Sequence, residues 1–359
     1  MTQVKAAVCN AFGAPLGVET LTLRAPGPGE VEVSIEACAI CHSDITYIDG
    51  GWGGDLPAVF GHEAAGRVTA VGPGVTGAAP GDAVLVTLIR ACGRCARCAS
   101  GRPTLCADPP RTPPPFTRAD GSPVVQGLDC GAFAERTVVH ESQIAPLPEG
   151  IPMAAAALLS CGVITGLGAA VNTARIRPGE VAVVIGAGGV GLNAIQGARL
   201  AGAARIIAVD TNPAKLAAAR DFGATDGILA TDPKPWSAAR KIAGRGADAV
   251  LVTVGAIPAY DTAPRYLAPG GRLVAVGMPH SGATSAWEPV VLAATGQAIA
   301  GSFMGDTVLA RDIPWILDLY RQGRLRLDEL VSGRWPLDAI NDAIADTRSG
   351  AARRNVLIF

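Results

Sequence analysis

The sequence predicts an α/β protein: a doubly wound parallel sheet joined to a second, β-rich domain. Three observations carry this. From Ala154 to Gly301 short apolar strands alternate with helical stretches, the pattern of a parallel sheet covered on both faces. Within that run the apolar stretch VAVVI leads straight into Gly186-Ala187-Gly188-Gly189-Val190-Gly191. From Val4 to about Pro80, alternations such as VEVSIEA and GRVTAVG are punctuated by PGPGE, GGWGG and GPGVTG, which reads as turn-rich β-structure.

Taken in order, residues 4–80 are expected to form a small barrel or a pair of sheets, and PGDAVLV at 80–86 adds a turn and a strand. Residues 87–122 are irregular and rich in Cys, Arg and Pro, so apolar burial alone cannot fold them. Residues 151–171 carry no charge, a length sufficient to span a bilayer. Pro152, Gly162, Gly166 and Gly168 interrupt that stretch, Ser160 and Thr165 add hydroxyls, and alanine and glycine dominate it. A buried core segment is therefore expected.

The stretch 181–210 reads as strand, glycine turn, helix and parallel strand. Gly186 makes the tight turn, Gly188 lets the backbone approach a pyrophosphate, and Gly191 lets helix and strand pack closely. The phosphates then sit at the positive end of the helix. Asp210 stands where a carboxylate accepts bonds from ribose hydroxyls. With Thr211 and Asn212 after it rather than arginine, NAD is expected over the 2′-phosphorylated cofactor. The strands DGILA, DAVLVTVG, RLVAVG and QAIAGSF follow. The tail from Asp306 has two helical stretches and ends in NVLIF. The cofactor domain, residues 163–303, is thus inserted between two parts of the first domain, residues 1–162 and 304–359.

Lys and Arg number 30 against 31 Asp and Glu, a formal net charge of -1. Neither a basic field for nucleic acid nor an acidic tail is present, and no nucleic-acid or membrane partner is expected. The N-terminus lacks the charged start and long apolar core of a secretory signal, so a cytoplasmic location is expected. In that setting nine cysteines point to metal or thiol chemistry before disulfides.

Cys92, Cys95, Cys98 and Cys106 form C-x2-C-x2-C-x7-C. Four thiolates so close can shell one Zn²⁺ with no position left for substrate, and metal binding would order a lobe, residues 90–108, that has no core of its own. Thiolates serve an iron–sulfur cluster equally well, and scattered unliganded cysteines are the bland alternative. Cys41 in CAICHSD, His62 in FGHEAAG and Cys161 in LLSCGVITG are further potential ligands; taken singly, each is as readily a packed core residue. Cys38 and Cys41 also form C-x-x-C, but outside the helix-opening context that a redox pair needs.

The set G-H-E at 61–63, C-H-S-D at 41–44, the four-cysteine lobe, S-C-G-V-I-T-G at 160–166 and the glycine turn resembles the zinc-containing medium-chain alcohol dehydrogenases, in order and spacing over nearly the whole chain. Within them it is most similar to the class III and thiol-dependent formaldehyde dehydrogenase branch. The resemblance implies a Rossmann cofactor domain, a GroES-like catalytic domain, two Zn²⁺ per chain and NAD. It implies that Cys41, His62 and Cys161 bind a catalytic zinc with water, alcohol or Glu63 in the fourth position, a half-open site suited to Lewis-acid catalysis. Asp44 would orient His62 and Ser43 would relay a proton; Asp44 as a helix cap is the bland alternative. Many relatives carry a relay histidine where Thr46 stands.

The resemblance also puts His42 and Arg354 near the cofactor pyrophosphate, Lys215 near the adenosine ribose, Thr165 by the nicotinamide and Val254 against the cofactor; for the three cations, solvated charge is the alternative. Trp52, Leu88 and Met278 are candidate pocket walls, or ordinary core, and suit a primary alcohol or aldehyde that is apolar or aromatic. The acidic pocket residues of the glutathione-dependent branch would fall at Gly51 and Gly53 and its arginine at Pro110, which weakens that assignment. Arg111 and Asp55 leave another thiol adduct, such as that of mycothiol, open. A non-catalytic cofactor-binding protein is a reading of another class, against which both zinc constellations argue. A zinc-free quinone reductase of the same superfamily conflicts with Cys41, His62 and Cys161. Relatives associate through the strand at 297–303, implying a homodimer or homotetramer.

Overall fold

The alternating apolar residues of the first 150 positions produce strands that each bury one face. In the computed structural model, which describes residues 1–359, Thr2–Cys9, Gly17–Leu23, Phe116–Thr117, Pro123–Gln126 and Ala58–Val59 close into a barrel. Val8, Leu21, Leu23, Phe116 and Val124 are fully buried in its core. A second sheet runs in the order Ile144–Pro146, Ala83–Val86, Glu63–Val71, Glu30–Ala39, Arg354–Ile358 and Val331–Pro336. Arg136–His140 pairs with the first half of Glu30–Ala39. Ala39 pairs with Glu63 on one side and with Val356 on the other. The chain's last strand and the strand that begins at Glu63 thereby flank the same central strand.

The region 181–301 gives six parallel strands in the order Asp226–Leu229, Arg205–Asp210, Val181–Ile185, Ala247–Val252, Leu267–Ala275 and Ala298–Gly301. This is the doubly wound order, with the topological switch between the third and fourth strands, where Val181–Ile185 runs into the glycine turn. All five residues of Val181–Ile185 are buried, as a sheet covered on both faces requires.

Met153–Thr173 is one apolar helical run, long enough to cross a membrane, with 94% of its most apolar window buried, as in a core helix. It contains two π-helical turns, Leu159–Val163 and Ala169–Thr173.

The chain divides into Met1–Cys161 with Val308–Phe359, and Gly162–Thr307. The return falls four residues later than the 303/304 boundary read from the sequence. Backbone packing is the reason. Gly305, at φ +66°, lies so near the Ile164–Gly168 helix that a Cβ on it would be 2.1 Å from the Ile164 carbonyl oxygen. Asn172 Nδ2 donates to Gly305 O at 3.1 Å and Thr173 Oγ1 to Asp306 Oδ2 at 2.7 Å, which holds Met304–Asp306 to the second unit.

Candidate functional site

Cys41 follows the central strand Glu30–Ala39 in extended conformation and is the N-cap of the helix His42–Ile48. Asp44, the third residue of that helix, is fully buried. Its Oδ2 accepts from Cys41 N at 3.1 Å; its Oδ1 accepts from Gly61 N at 3.0 Å and lies 2.9 Å from His62 Nδ1. The two readings of Asp44, helix cap and histidine orienter, are both realised. With Nδ1–H donating to the carboxylate, Nε2 carries the lone pair and is the ligand atom. That Nε2, and Oε2 of Glu63, are buried without any hydrogen-bond partner.

Cys161 lies within the π-turn Leu159–Val163, and Ser160 Oγ donates to Ala64 O at 2.8 Å, pinning the turn to the strand that begins at Glu63. The ligand atoms of Cys41, His62, Glu63 and Cys161 lie within 4.8 Å of one another, and all four residues are buried. Ligands at about 2.0–2.3 Å from a common zinc ion stand roughly 3.3–3.8 Å apart, so this donor set fits one. All four are those the sequence analysis named, Glu63 as a candidate for the fourth position, and all belong to the first unit.

Arg354 was expected at a pyrophosphate. Its Nη2 donates to Glu63 Oε1 at 2.8 Å, with the arginine side chain 6% exposed and the glutamate 0%. Burial pushes the Glu63 carboxyl up to about 8, against the opposing pull of Arg354. Cys41 is held well below the usual thiol range, first by the hydrogen bond from Cys161 and then, against burial, by His62; Cys161 is raised well above it. Burial disfavours a charged His62, but Asp44 and then Cys41 together outweigh that and raise its pKa. A bound cation would displace these protons, so metal uptake is coupled to pH.

Ser43 is half-buried beside the cluster's first ligand, and His42 is exposed at the helix start. Thr46 Oγ1 donates to His42 O at 2.9 Å, spending its proton within its own helix. Trp52 meets Tyr47 edge-on at 5.1 Å, and Tyr47 stacks on Phe60 at 5.8 Å. Leu88 packs, partly buried, against the first unit's core. Met278 belongs to the second unit and is 54% exposed. A depression of about 590 Å³ lined by Thr2, Lys5, Glu36, Arg136 and Phe359, among others, contains none of the ligand residues.

In the lobe, the four cysteine sulfurs also lie within 4.8 Å of one another, and Sγ of Cys95 and Cys106 are 3.9 Å apart. A tetrahedral zinc with bonds of about 2.3 Å sets that edge at roughly 3.8 Å. Backbone N–H groups point at the sulfurs: Cys92 N to Cys106 Sγ and Cys95 N to Cys92 Sγ, both at 3.3 Å. Those of Cys98 and Ala107 bring the Cys95 thiol down to about 6.

The second unit contains the nucleotide turn. Gly186 has φ +98°, and a Cβ there would lie 2.4 Å from Val254 Cγ1. On Gly191 it would fall 1.8 Å from Gly186 O, whereas on Gly188 it would meet nothing within 4 Å. Gly188 caps the helix Gly189–Leu200 with no side chain over its end, leaving an open cradle for a pyrophosphate at Gly189 and Val190. Asp210 Oδ2 accepts from Ala187 N at 2.7 Å and its Oδ1 from Asn212 N at 2.9 Å, which ties the acid to the turn. Lys215 is in the first turn of the helix Pro213–Asp221. Thr165 Oγ1 donates to Met304 Sδ at 3.7 Å. Sequence reasoning missed the Arg354–Glu63 pair and the Ser160 pin; the only available signal was the polar residue next to Cys161.

Two family descriptions match the chain, "Alcohol dehydrogenase GroES-like domain" over residues 27–149 and "Zinc-binding dehydrogenase" over residues 189–322. The chain is 36% identical over 367 residues to the NDMA-dependent alcohol dehydrogenase of Amycolatopsis methanolica, covering 99% of each. It is 34% identical over 378 residues to the S-(hydroxymethyl)glutathione dehydrogenase of Paracoccus denitrificans, covering 99% of this chain and 100% of the relative. Among solved structures, benzyl alcohol dehydrogenase from Acinetobacter calcoaceticus superimposes with a TM-score of 0.94 at 30% identity over 100% of both chains.

Proposed function

Because the chain belongs to the zinc-dependent medium-chain alcohol dehydrogenase family, we propose that it is a two-zinc enzyme that moves a hydride reversibly between a primary alcohol, aromatic or long-chain, and NAD. The carrying observation is the buried set Cys41, His62, Glu63 and Cys161, with the lone pair of His62 Nε2 aimed into it. A zinc ion held there supplies Lewis acidity that brings an alcohol's pKa toward neutrality. NAD, cradled at Gly188 and discriminated by Asp210, supplies the hydride acceptor.

The chain's own residues do the rest. Asp44 keeps the His62 proton on Nδ1. Arg354 holds one oxygen of Glu63, leaving the other directed at the cluster. Ser43 takes the alcohol proton through its hydroxyl. Thr46 does not continue that relay, since its proton is engaged by His42 O; the exit is by His42, Tyr47 or water. The Trp52–Tyr47–Phe60 ladder, built between the Cys41 and His62 segments, favours an aromatic substrate, and the likeness to a benzyl alcohol dehydrogenase supports it.

A thiol adduct of formaldehyde is the second reading, favoured by the likeness to an S-(hydroxymethyl)glutathione dehydrogenase and weakened by Gly51 and Gly53. We also propose a homodimer or homotetramer formed at the exposed edge strand Ala298–Gly301, flanked by exposed Val290, Val291 and Phe303. None of the nine cysteines is in a disulfide, which suits a cytoplasmic setting. The test is NADH formation at 340 nm with benzyl alcohol, ethanol, a secondary alcohol, and formaldehyde with glutathione or mycothiol. Benzyl alcohol is expected to give the highest kcat/KM. Activity with a thiol adduct alone would replace the substrate assignment, and no hydride transfer from any of them would overturn the reading.

A further inference from the structure

Arg90 is a nearly buried cation, its side chain 7% exposed, that the proposed chemistry does not use. It stands two residues before the first lobe cysteine. Its Nη1 donates to Pro110 O and to Thr112 Oγ1, both at 3.4 Å, four and six residues after the last lobe cysteine. One guanidinium therefore closes the neck of the lobe from both sides. Its remaining donors turn the other way: Nη2 to Asp129 O at 3.1 Å and Nε to Gln143 Oε1 at 2.7 Å. Fully buried Gln143 in turn donates from Nε2 to the same Asp129 O at 2.9 Å.

The carbonyl gripped twice belongs to an unusual turn. Leu128 and Asp129 both have left-handed φ, 52° and 57°, although neither is glycine. Consecutive residues of that kind persist only where their surroundings hold them. Just beyond, Ala132 N donates to Gly61 O at 2.9 Å and Phe133 N to Phe60 O at 2.8 Å. A Cβ on Gly61 would lie 2.6 Å from Phe133 N, and one on Gly127 would lie 2.3 Å from the Phe60 ring. The turn is thus the backing of the segment that presents His62 and, through Gly61 N, one of the donors to Asp44.

We infer that Arg90 is a positioning residue that couples the four-cysteine lobe to the His62 side of the catalytic metal centre. The order that a metal gives the lobe fixes the guanidinium, the guanidinium fixes the Leu128–Asp129 turn, and the turn fixes Gly61 and His62. This rests on both clusters holding metal, as proposed above. It gives the lobe a role in the geometry of the catalytic centre besides local stability.

The test replaces zinc by Co²⁺ in the full chain, so that visible absorption bands report thiolate–imidazole geometry and a chelator times metal release. In Arg90→Gln both sites are expected to load, with the bands of the Cys41/His62/Cys161 centre shifted and its ion lost about ten-fold faster, the scale typical of losing an outer partner of a metal ligand. Arg90→Lys, which keeps the charge but not the fork, should fall between, and it carries the comparison if Arg90→Gln does not fold. Cys106→Ser should speed release from the catalytic centre in the wild-type background and add little on top of Arg90→Gln, as two steps of one path do. Wild-type bands and release in a folded Arg90 variant, whatever its thermal stability, would overturn the inference, and so would independent, additive effects of the two substitutions. Failure of the wild-type chain to bind cobalt at the first site would instead refute the proposed function.

Discussion

Replacing Asp44 by Asn changes one atom in the interior and tests how the centre is built. The carboxylate accepts three bonds, from Cys41 N at 3.1 Å, Gly61 N at 3.0 Å and His62 Nδ1 at 2.9 Å. Asparagine has one oxygen. With that oxygen toward Gly61 and His62, its NH₂ faces the Cys41 N–H, and a buried donor is left opposed to a donor, at about 1–3 kcal/mol. With the amide flipped, His62 must accept at Nδ1 and carry its proton on Nε2, which removes the ligand lone pair altogether. Either way His62 loses the anion that makes its Nε2 basic. An outer partner of this kind typically changes metal affinity by about 10–100-fold, or ~1.4–2.8 kcal/mol. The assay is competition for zinc against a chromophoric chelator, with the lobe as internal control. Asp44→Asn should weaken one zinc per chain and spare the other; equal affinity for both sites, unchanged from wild type, would refute the reasoning.

Two glycines of the nucleotide turn should separate stability from binding. Gly191→Ala puts a methyl 1.8 Å from Gly186 O and should lower thermal stability by about 3 kcal/mol or more, while Gly188→Ala, with nothing within 4 Å, should fold normally and bind NADH more weakly in a fluorescence titration. Ser43→Ala should cut turnover and leave zinc content intact; unchanged turnover would mean that the alcohol proton reaches solvent without it. Glu30 is 2% exposed; burial raises its carboxyl, but hydrogen bonds from Arg24 and Gly27 N outweigh this and leave it below the usual carboxylate range. A depressed folded pKa means that the pair's stabilisation is present above about pH 4.5 and is lost as pH falls through the folded value. Because Arg24 is 24% exposed, Arg24→Met should cost about 2–3 kcal/mol at pH 7, below the ~3–5 of a fully buried pair, and flatten the acid limb of a urea midpoint against pH curve.

What the sequence disclosed followed the range of the interactions. The glycine turn and the four-cysteine lobe are local, so spacing alone exposed both, and Gly186, Gly188 and Gly191 have the steric surroundings their positions demanded. Asp44 was legible through the resemblance of the C-H-S-D segment, although its two roles looked like alternatives. Arg354 and Glu63 are 291 positions apart and meet only because Ala39 pairs with strands on both sides; no local pattern marks such a pair. The late return of the chain at Thr307 depends on a glycine packed against a helix backbone, which reads in the sequence as one more turn. The π-turn that carries Cys161 was hidden for a similar reason, since an alanine-rich apolar run has no periodic signal to break.

The most direct measurement joins metal content to hydride transfer in one preparation. Cys161→Ser removes a ligand of the buried cluster and touches nothing in the lobe. Elemental analysis should find two zinc ions per wild-type chain and one in the variant, and NADH formation from benzyl alcohol at 340 nm should vanish with the missing ion. A variant that keeps both zinc ions, or that loses one and still reduces NAD at the wild-type rate, would contradict the account.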